Sequence, residues 1–131
     1  MSRTALQTLP ADTRSPAAQQ TLTRAVLQAA ELLDVPQSEL ASILGLSPAT
    51  LSRMGSGRYL LQPERKEWQL AALFVRLFRS LDSVTGGRDD LSRAWLRSHN
   101  HVLAAQPASL LGQIESFVRV VQYLDASRAA V

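Results

Sequence analysis

The sequence contains no cysteine. A disulfide framework and a thiolate zinc site are therefore excluded, as expected of a protein of a reducing compartment. Aromatic residues are scarce: three Phe, two Trp and two Tyr. Leucine, alanine and valine must fill the core of a chain that is 46% hydrophobic. No apolar run reaches the roughly 18 residues of a membrane span, and no leader with an apolar centre is present. The expected setting is the cytoplasm, with no membrane association. Alternating β-branched runs and Asn-Gly hairpin turns are missing, so the predicted fold class is all-α. Lysine is almost absent, Lys66 being the single one among 14 basic residues. A preference for arginine says nothing about DNA by itself. The 131 residues are within the size of one domain with a small extension.

The most informative stretch is Gln37 to Met54. Leu40, Ala41 and Leu44 share one face of a first helix. Ala41 is small enough for a second helix to cross closely. Gly45 follows the last apolar position, where a left-handed residue ends a helix without a Cβ penalty. Leu46 plugs the corner. Ser47 reads as an N-cap and Pro48 as the first residue of a second helix. Leu51 and Met54 return to the buried side. Ala49, Ser52, Arg53 and Ser56 are left outward. This is the pattern of a helix-turn-helix, which presents its second helix to the DNA major groove. Small side chains let the backbone approach the bases, and Arg53 is suited to a guanine edge or a phosphate. A plain helical hairpin in an all-α core is the competing reading.

Charge is distributed unevenly. Arg53 to Arg79 carries six basic and two acidic residues, whereas Glu31 to Glu39 carries three acidic and no basic ones. Phosphate backbones favour such an arrangement, and the affinity then falls steeply with salt. A solvated arginine-rich surface is the alternative.

Residues 1–20, with Pro10 and Pro16, read as a flexible arm. A helix is predicted from about Gln20 to Leu33, with Leu22, Val26, Ala29, Ala30 and Leu33 as its stripe. After Gly55 and Gly57, Arg58 and Tyr59 are placed to meet the DNA backbone. A long helix is predicted from Pro63 to about Leu81. Its apolar girth implies either a central core helix or contact with a second copy. Thr85-Gly86-Gly87 marks a boundary, and the acids Asp89 and Asp90 start the next helix. That helix is expected to turn Leu91, Ala94, Trp95 and Leu103 inward and to end at Asn100. Pro107 then begins the last helix, with Leu110, Leu111, Ile114, Phe117, Val120, Val121 and Leu124 at helical spacing.

Ala94-Trp95-Leu96, Asn100, Leu103, Pro107, Leu110-Leu111, Val120 and Leu124 form a pattern that resembles the toxin-binding domain of the MbcA/ParS/Xre antitoxins. There it follows an Xre-like helix-turn-helix, as it does here, and the resemblance spans about residues 25–126. The chain departs from the family at Ala104-Ala105-Gln106, where a Gly-rich turn is usual, and at Ser116, where glycine is frequent. The resemblance implies a 21–84 helix-turn-helix domain and an 85–131 toxin-binding domain. It implies a type II antitoxin that neutralises a RES-domain, NAD-consuming toxin by occluding the NAD pocket, and that represses its own operon. DNA contact would fall to Ser47, Ala49, Thr50, Ser52, Arg53 and Arg58. Toxin contact would fall to Arg97, His99, Asn100, Arg128 and Val131. The expected partners are the toxin, operator DNA, a second copy in a homodimer, and a larger hetero-oligomer with toxin.

No catalytic constellation is visible, so no enzyme activity and no cofactor are expected. His99 and His101, two residues apart, do not share a helix face and make a poor metal pair. The serines have no elbow motif or neighbouring base. The alternatives to an antitoxin are a stand-alone helix-turn-helix repressor, or an adaptor whose helix-turn-helix is a relic.

Overall fold

The computed structural model describes residues 15–130. Among the described residues there are six α-helices, one 3-10 turn and no strand. The helices are α1 (Pro16–Leu32), α2 (Gln37–Leu44), α3 (Pro48–Gly55), α4 (Lys66–Thr85), α5 (Asp89–Arg97) and α6 (Ile114–Ala130). The 3-10 turn, Pro107–Leu110, precedes α6.

Helix α1 starts earlier than the expected Gln20. Ser15 is its N-cap, the Oγ accepting the Ala18 N–H at 3.1 Å, and Pro16 opens the first turn. This is the same Ser-Pro start that is legible at Ser47-Pro48, so residues 16–20 belong to this helix and not to the expected arm. Residues 1–14 lie outside the described part. The predicted stripe of α1 is buried, and Val35 N–H returns to Ala30 O at 2.8 Å to close the helix.

Helix α4 is the centre of the molecule. It packs against α6, α1, α5 and α2. Phe74, Leu77 and Leu81 are fully buried. The same apolar cluster holds Leu22, Leu40 and Leu51 from one half of the chain and Leu96, Phe117 and Val120 from the other. Of the two readings of this helix, the central core helix is the one that explains its apolar girth. It begins at Lys66 rather than Pro63, which stays in the preceding turn, and it runs on to Thr85. Gly86 ends it in the left-handed region at φ +65°.

Helix α5 faces differently from the expectation. Its buried residues are Ser92 and Leu96. Leu91 is 45% exposed, Ala94 is exposed, and Trp95 is only partly covered. The small hydroxyl of Ser92 allows close packing because it shares a hydrogen bond with Thr85 Oγ1 at 3.0 Å. Leu103 is buried as predicted. The helix stops at Arg97, short of Asn100.

Residues 98–106 form a tight loop. Asn100 N–H donates to Ala105 O at 3.0 Å, and Leu103 N–H donates to Asn100 Oδ1 at 2.9 Å. Ala104 has φ +59°. This is the left-handed region, which costs a non-glycine residue about 1–2 kcal/mol. An alanine thus holds a left-handed position at which glycine would relieve the strain. Glycine also adds freedom to the unfolded chain, which offsets part of the relief. Ala104→Gly is expected to stabilise the protein by about 0.5 kcal/mol, read as a rise in the urea midpoint at unchanged slope.

The last helix is interrupted where a continuous one is expected after Pro107. The 3-10 turn and the Gly112–Gln113 stretch come first, and α6 proper starts at Ile114, which is 56% exposed. Ser116 bridges the break, its hydroxyl donating to Leu110 O at 2.6 Å. Phe117, Val120, Val121 and Leu124 are buried as predicted.

Candidate functional site

Helices α2 and α3 form the expected pair. Leu40, Ala41, Leu44, Leu51 and Met54 close its inner face. Gly45 takes φ +70°, and Leu46 N–H donates to Ala41 O at 2.9 Å. Ser47 caps α3, its Oγ accepting the Thr50 N–H at 3.1 Å. Ala49, Ser52 and Arg53 are exposed on the outer face.

A chain of polar contacts orders that face. Ser47 Oγ–H donates to Thr50 Oγ1 at 2.9 Å, and Arg53 Nη2 donates to the same oxygen at 3.0 Å. Arg58 Nε donates to Ser56 Oγ at 3.1 Å, and Ser56 Oγ–H donates to Arg53 O at 3.1 Å. The structure therefore brings Ser47, Thr50, Arg53 and Arg58 into one network, with Ala49 and Ser52 beside it. An open cleft separates α3 from the start of α4. Thr50, Arg53, Arg65 and Lys66 line it, together with the acids Glu64 and Glu67.

Tyr59 is placed differently from the expected backbone contact. Its hydroxyl donates to Glu67 Oε2 at 2.5 Å. Gln62 N–H donates to the same oxygen at 2.9 Å, and Arg65 Nε lies 3.7 Å from Oε1. Burial, with the hydrogen bond and negative charge of Glu67, pushes the Tyr59 phenol up to about 12. Glu67 is itself buried in the first turn of α4, where the helix dipole favours a carboxylate. This carboxylate fixes the loop that leaves α3. Its sequence signal was only that of one of two acids in a basic stretch, with nothing to indicate which groups it would meet.

In the C-terminal half, Arg97 reaches back to α2. Its Nη1 and Nη2 contact Glu39 Oε1 and Oε2 at 3.1 and 3.2 Å, a two-point pairing. Arg93 Nε donates to Leu32 O at 2.8 Å, tying α5 to the end of α1. Asn100 holds the 98–106 loop through the bonds described above. His99 and His101 are exposed, with ring centroids 5.5 Å apart in an edge contact. Among the described residues no group of three or more His, Cys, Asp or Glu is placed to hold a metal ion. None of their helices is long and apolar enough to cross a membrane.

Residues 12–76 match the family described as the antitoxin Xre-like helix-turn-helix domain. Residues 80–129 match the antitoxin Xre/MbcA/ParS C-terminal toxin-binding domain. The chain belongs to the Xre/MbcA/ParS antitoxin family. Its fold is similar to a chain in the crystal structure of the M. tuberculosis MbcT-MbcA toxin-antitoxin complex, with TM-score 0.63 and 26% sequence identity. That match covers 84% of this antitoxin and 96% of the other chain. No protein of curated function matches its sequence. The protein is thus an antitoxin of a toxin-antitoxin system, with a toxin as its partner.

The antitoxin uses Arg128 close to its own core. Arg128 Nη1 lies 3.5 Å from Ser80 Oγ, whose hydroxyl donates to Asp125 Oδ1 at 2.7 Å. Arg76 also pairs with Asp125. Burial raises the Asp125 carboxyl, but the hydrogen bonds from Ser80 and Arg76 and the charges of Arg76 and Arg128 outweigh it and hold it below the usual carboxylate range. A depressed folded-state value stabilises the antitoxin above the unfolded carboxylate value, near 3.9, and the contribution is lost as pH falls through the folded value. Asp125→Asn is expected to flatten the stability-versus-pH curve below about pH 4, measured by urea unfolding across acid pH. Val131 lies outside the described residues.

Proposed function

We propose that this antitoxin neutralises a RES-domain, NAD-consuming toxin in the cytoplasm and represses its own operon through α3. It acts by binding, not by catalysis, and works as a homodimer that assembles with toxin into a larger hetero-oligomer. The observation that carries the reading is the order of the two domains in one chain. Residues 21–84 serve DNA and residues 85–131 serve the toxin. Ala49, Ser52 and Arg53 read the major groove, while Ser47 and Thr50 orient Arg53 and Arg58 grips a phosphate. The cleft lined by Arg53, Arg65 and Lys66 supports a backbone contact at the start of α4. His99, Arg97, Asn100, Arg128 and Val131 belong to the toxin-facing half.

The test is co-purification with the product of the adjacent reading frame, followed by NAD consumption with and without the antitoxin. A stable complex that stops NAD loss is expected, as is promoter binding that weakens with salt and is lost in Arg53→Ala. Promoter binding with no protein partner would instead favour a stand-alone repressor. Promoter affinity unchanged by Arg53→Ala would favour an adaptor with a relic helix-turn-helix.

A further inference from the structure

Three large hydrophobic side chains stand exposed among the described residues: Leu91 at 45%, Val102 at 71% and Ile114 at 56%. All three fall within residues 80–129, the toxin-binding match, and none within the described helix-turn-helix half. Val102 sits in a loop and Ile114 at the first residue of α6. Leu91 differs, because it stands on a helix face beside other apolar groups. Leu91 and Trp95 are one turn apart on α5, so their side chains are neighbours, and exposed Ala94 lies beside them. Trp95 stacks on Tyr123 of α6, with ring centroids 6.2 Å apart and an interplanar angle of 18°.

Trp95 and Tyr123 lean on the core with part of their surface, while Leu91 and Ala94 stand exposed beyond it. Helix α5 buries Ser92 and Leu96 on its inner side, and the outer side of such a surface helix is ordinarily polar. The stack holds Trp95 between α5 and α6, so an incoming surface meets an aromatic group that is already ordered. Interface centres are enriched in such Trp and Tyr anchors. The cleft beside α3 is polar and carries charges of both signs, whereas the strip has the apolar character of a protein-binding patch.

We propose that the outward face of α5, formed by Leu91, Ala94 and Trp95 with Tyr123 beside them, is the central docking surface for the toxin, seating an apolar pocket of that protein. This rests on the toxin-binding reading above and locates its energetic centre on α5, away from Arg97 and Asn100, which the antitoxin uses to hold its own structure.

The test measures the affinity of the full chain for the product of the adjacent reading frame. Leu91→Asp is placed in the first turn of α5, where a helix accepts an acid well. Ala94→Arg puts a good helix former at an exposed site. Each is expected to weaken the complex by about 30-fold or more, the effect of losing an interface hot spot. Circular dichroism, melting temperature and promoter affinity should match wild type. Val102→Asp is the comparison and is expected to change affinity less than about threefold. Wild-type affinity in both α5 variants would overturn the proposal, as would a loss seen only in Val102→Asp. A change in antitoxin self-association with toxin affinity intact would assign the face to a second copy and also overturn it. If the wild-type chain itself bound no such product, the toxin reading would fall, and this surface with it.

Discussion

Phe74→Ala is expected to destabilise the antitoxin by about 3–5 kcal/mol. Phe74 has no exposed surface and lies on α4, between elements of both halves. Its removal takes away a large apolar group and leaves a cavity that surrounding helices fill only in part. Domains of this size have a total stability of about 5–15 kcal/mol, so the loss is a large share of the whole. The two tryptophans report on different places, Trp68 on α4 and Trp95 on α5. Urea unfolding followed by tryptophan fluorescence and by far-ultraviolet circular dichroism should give one coincident transition, shifted strongly downward. Two separated transitions would show that the halves melt independently and would contradict the shared core.

Glu67→Ala should be the second large effect, about 2–3 kcal/mol. It leaves the Tyr59 hydroxyl and the Gln62 N–H without their acceptor in a covered position. The variant also has a spectroscopic signature. Tyr59 sits at about 12 because of burial and the neighbouring carboxylate. Without the carboxylate its ionisation should move back toward the ordinary value near 10. A raised phenol value means that the folded state holds the proton more tightly, so stability is lost between about pH 10 and 12 in the parent. That loss should shrink in Glu67→Ala. Tyrosinate absorbance is readable because only Tyr59 and Tyr123 contribute. Glu67→Gln keeps an acceptor but removes the charge, and should fall between the two. Promoter affinity should drop with Glu67→Ala if the loop holding Arg58 matters for DNA.

The helix-turn-helix was legible because its signals are local. Gly45, Ser47 and Pro48 dictate backbone angles within a few residues, and Leu40, Ala41, Leu44, Leu51 and Met54 follow helical spacing. The start of α1 carried the same Ser-Pro signal at Ser15-Pro16, but the neighbouring Pro10 and polar residues masked it. Helix α5 was misread because pattern alone assigns apolar residues inward. A serine took the buried position, made tolerable by the Thr85 hydroxyl at the end of α4, seven residues back across the Gly86-Gly87 turn, a pairing that apolar spacing does not register. Arg97 and Asn100 were legible as polar residues of the toxin-binding half. Their partners, Glu39 and the 98–106 backbone, depend on how the chain closes on itself. Ala104 is a further case. Its left-handed angle is imposed by the loop, and nothing in an alanine announces it.

The shared position of α4 sets the lifetime of the protein. Phe74, Leu77 and Leu81 join residues of both halves in one cluster, so an opening large enough to release α4 undoes the helix-turn-helix and the toxin-binding domain together. Degradation of a transiently opened chain follows the population of that open form. There is then a single turnover rate for the whole molecule. Under the proposed function, a cell that destroys this antitoxin would release the promoter at the moment it frees the toxin, without a stage at which one half outlives the other.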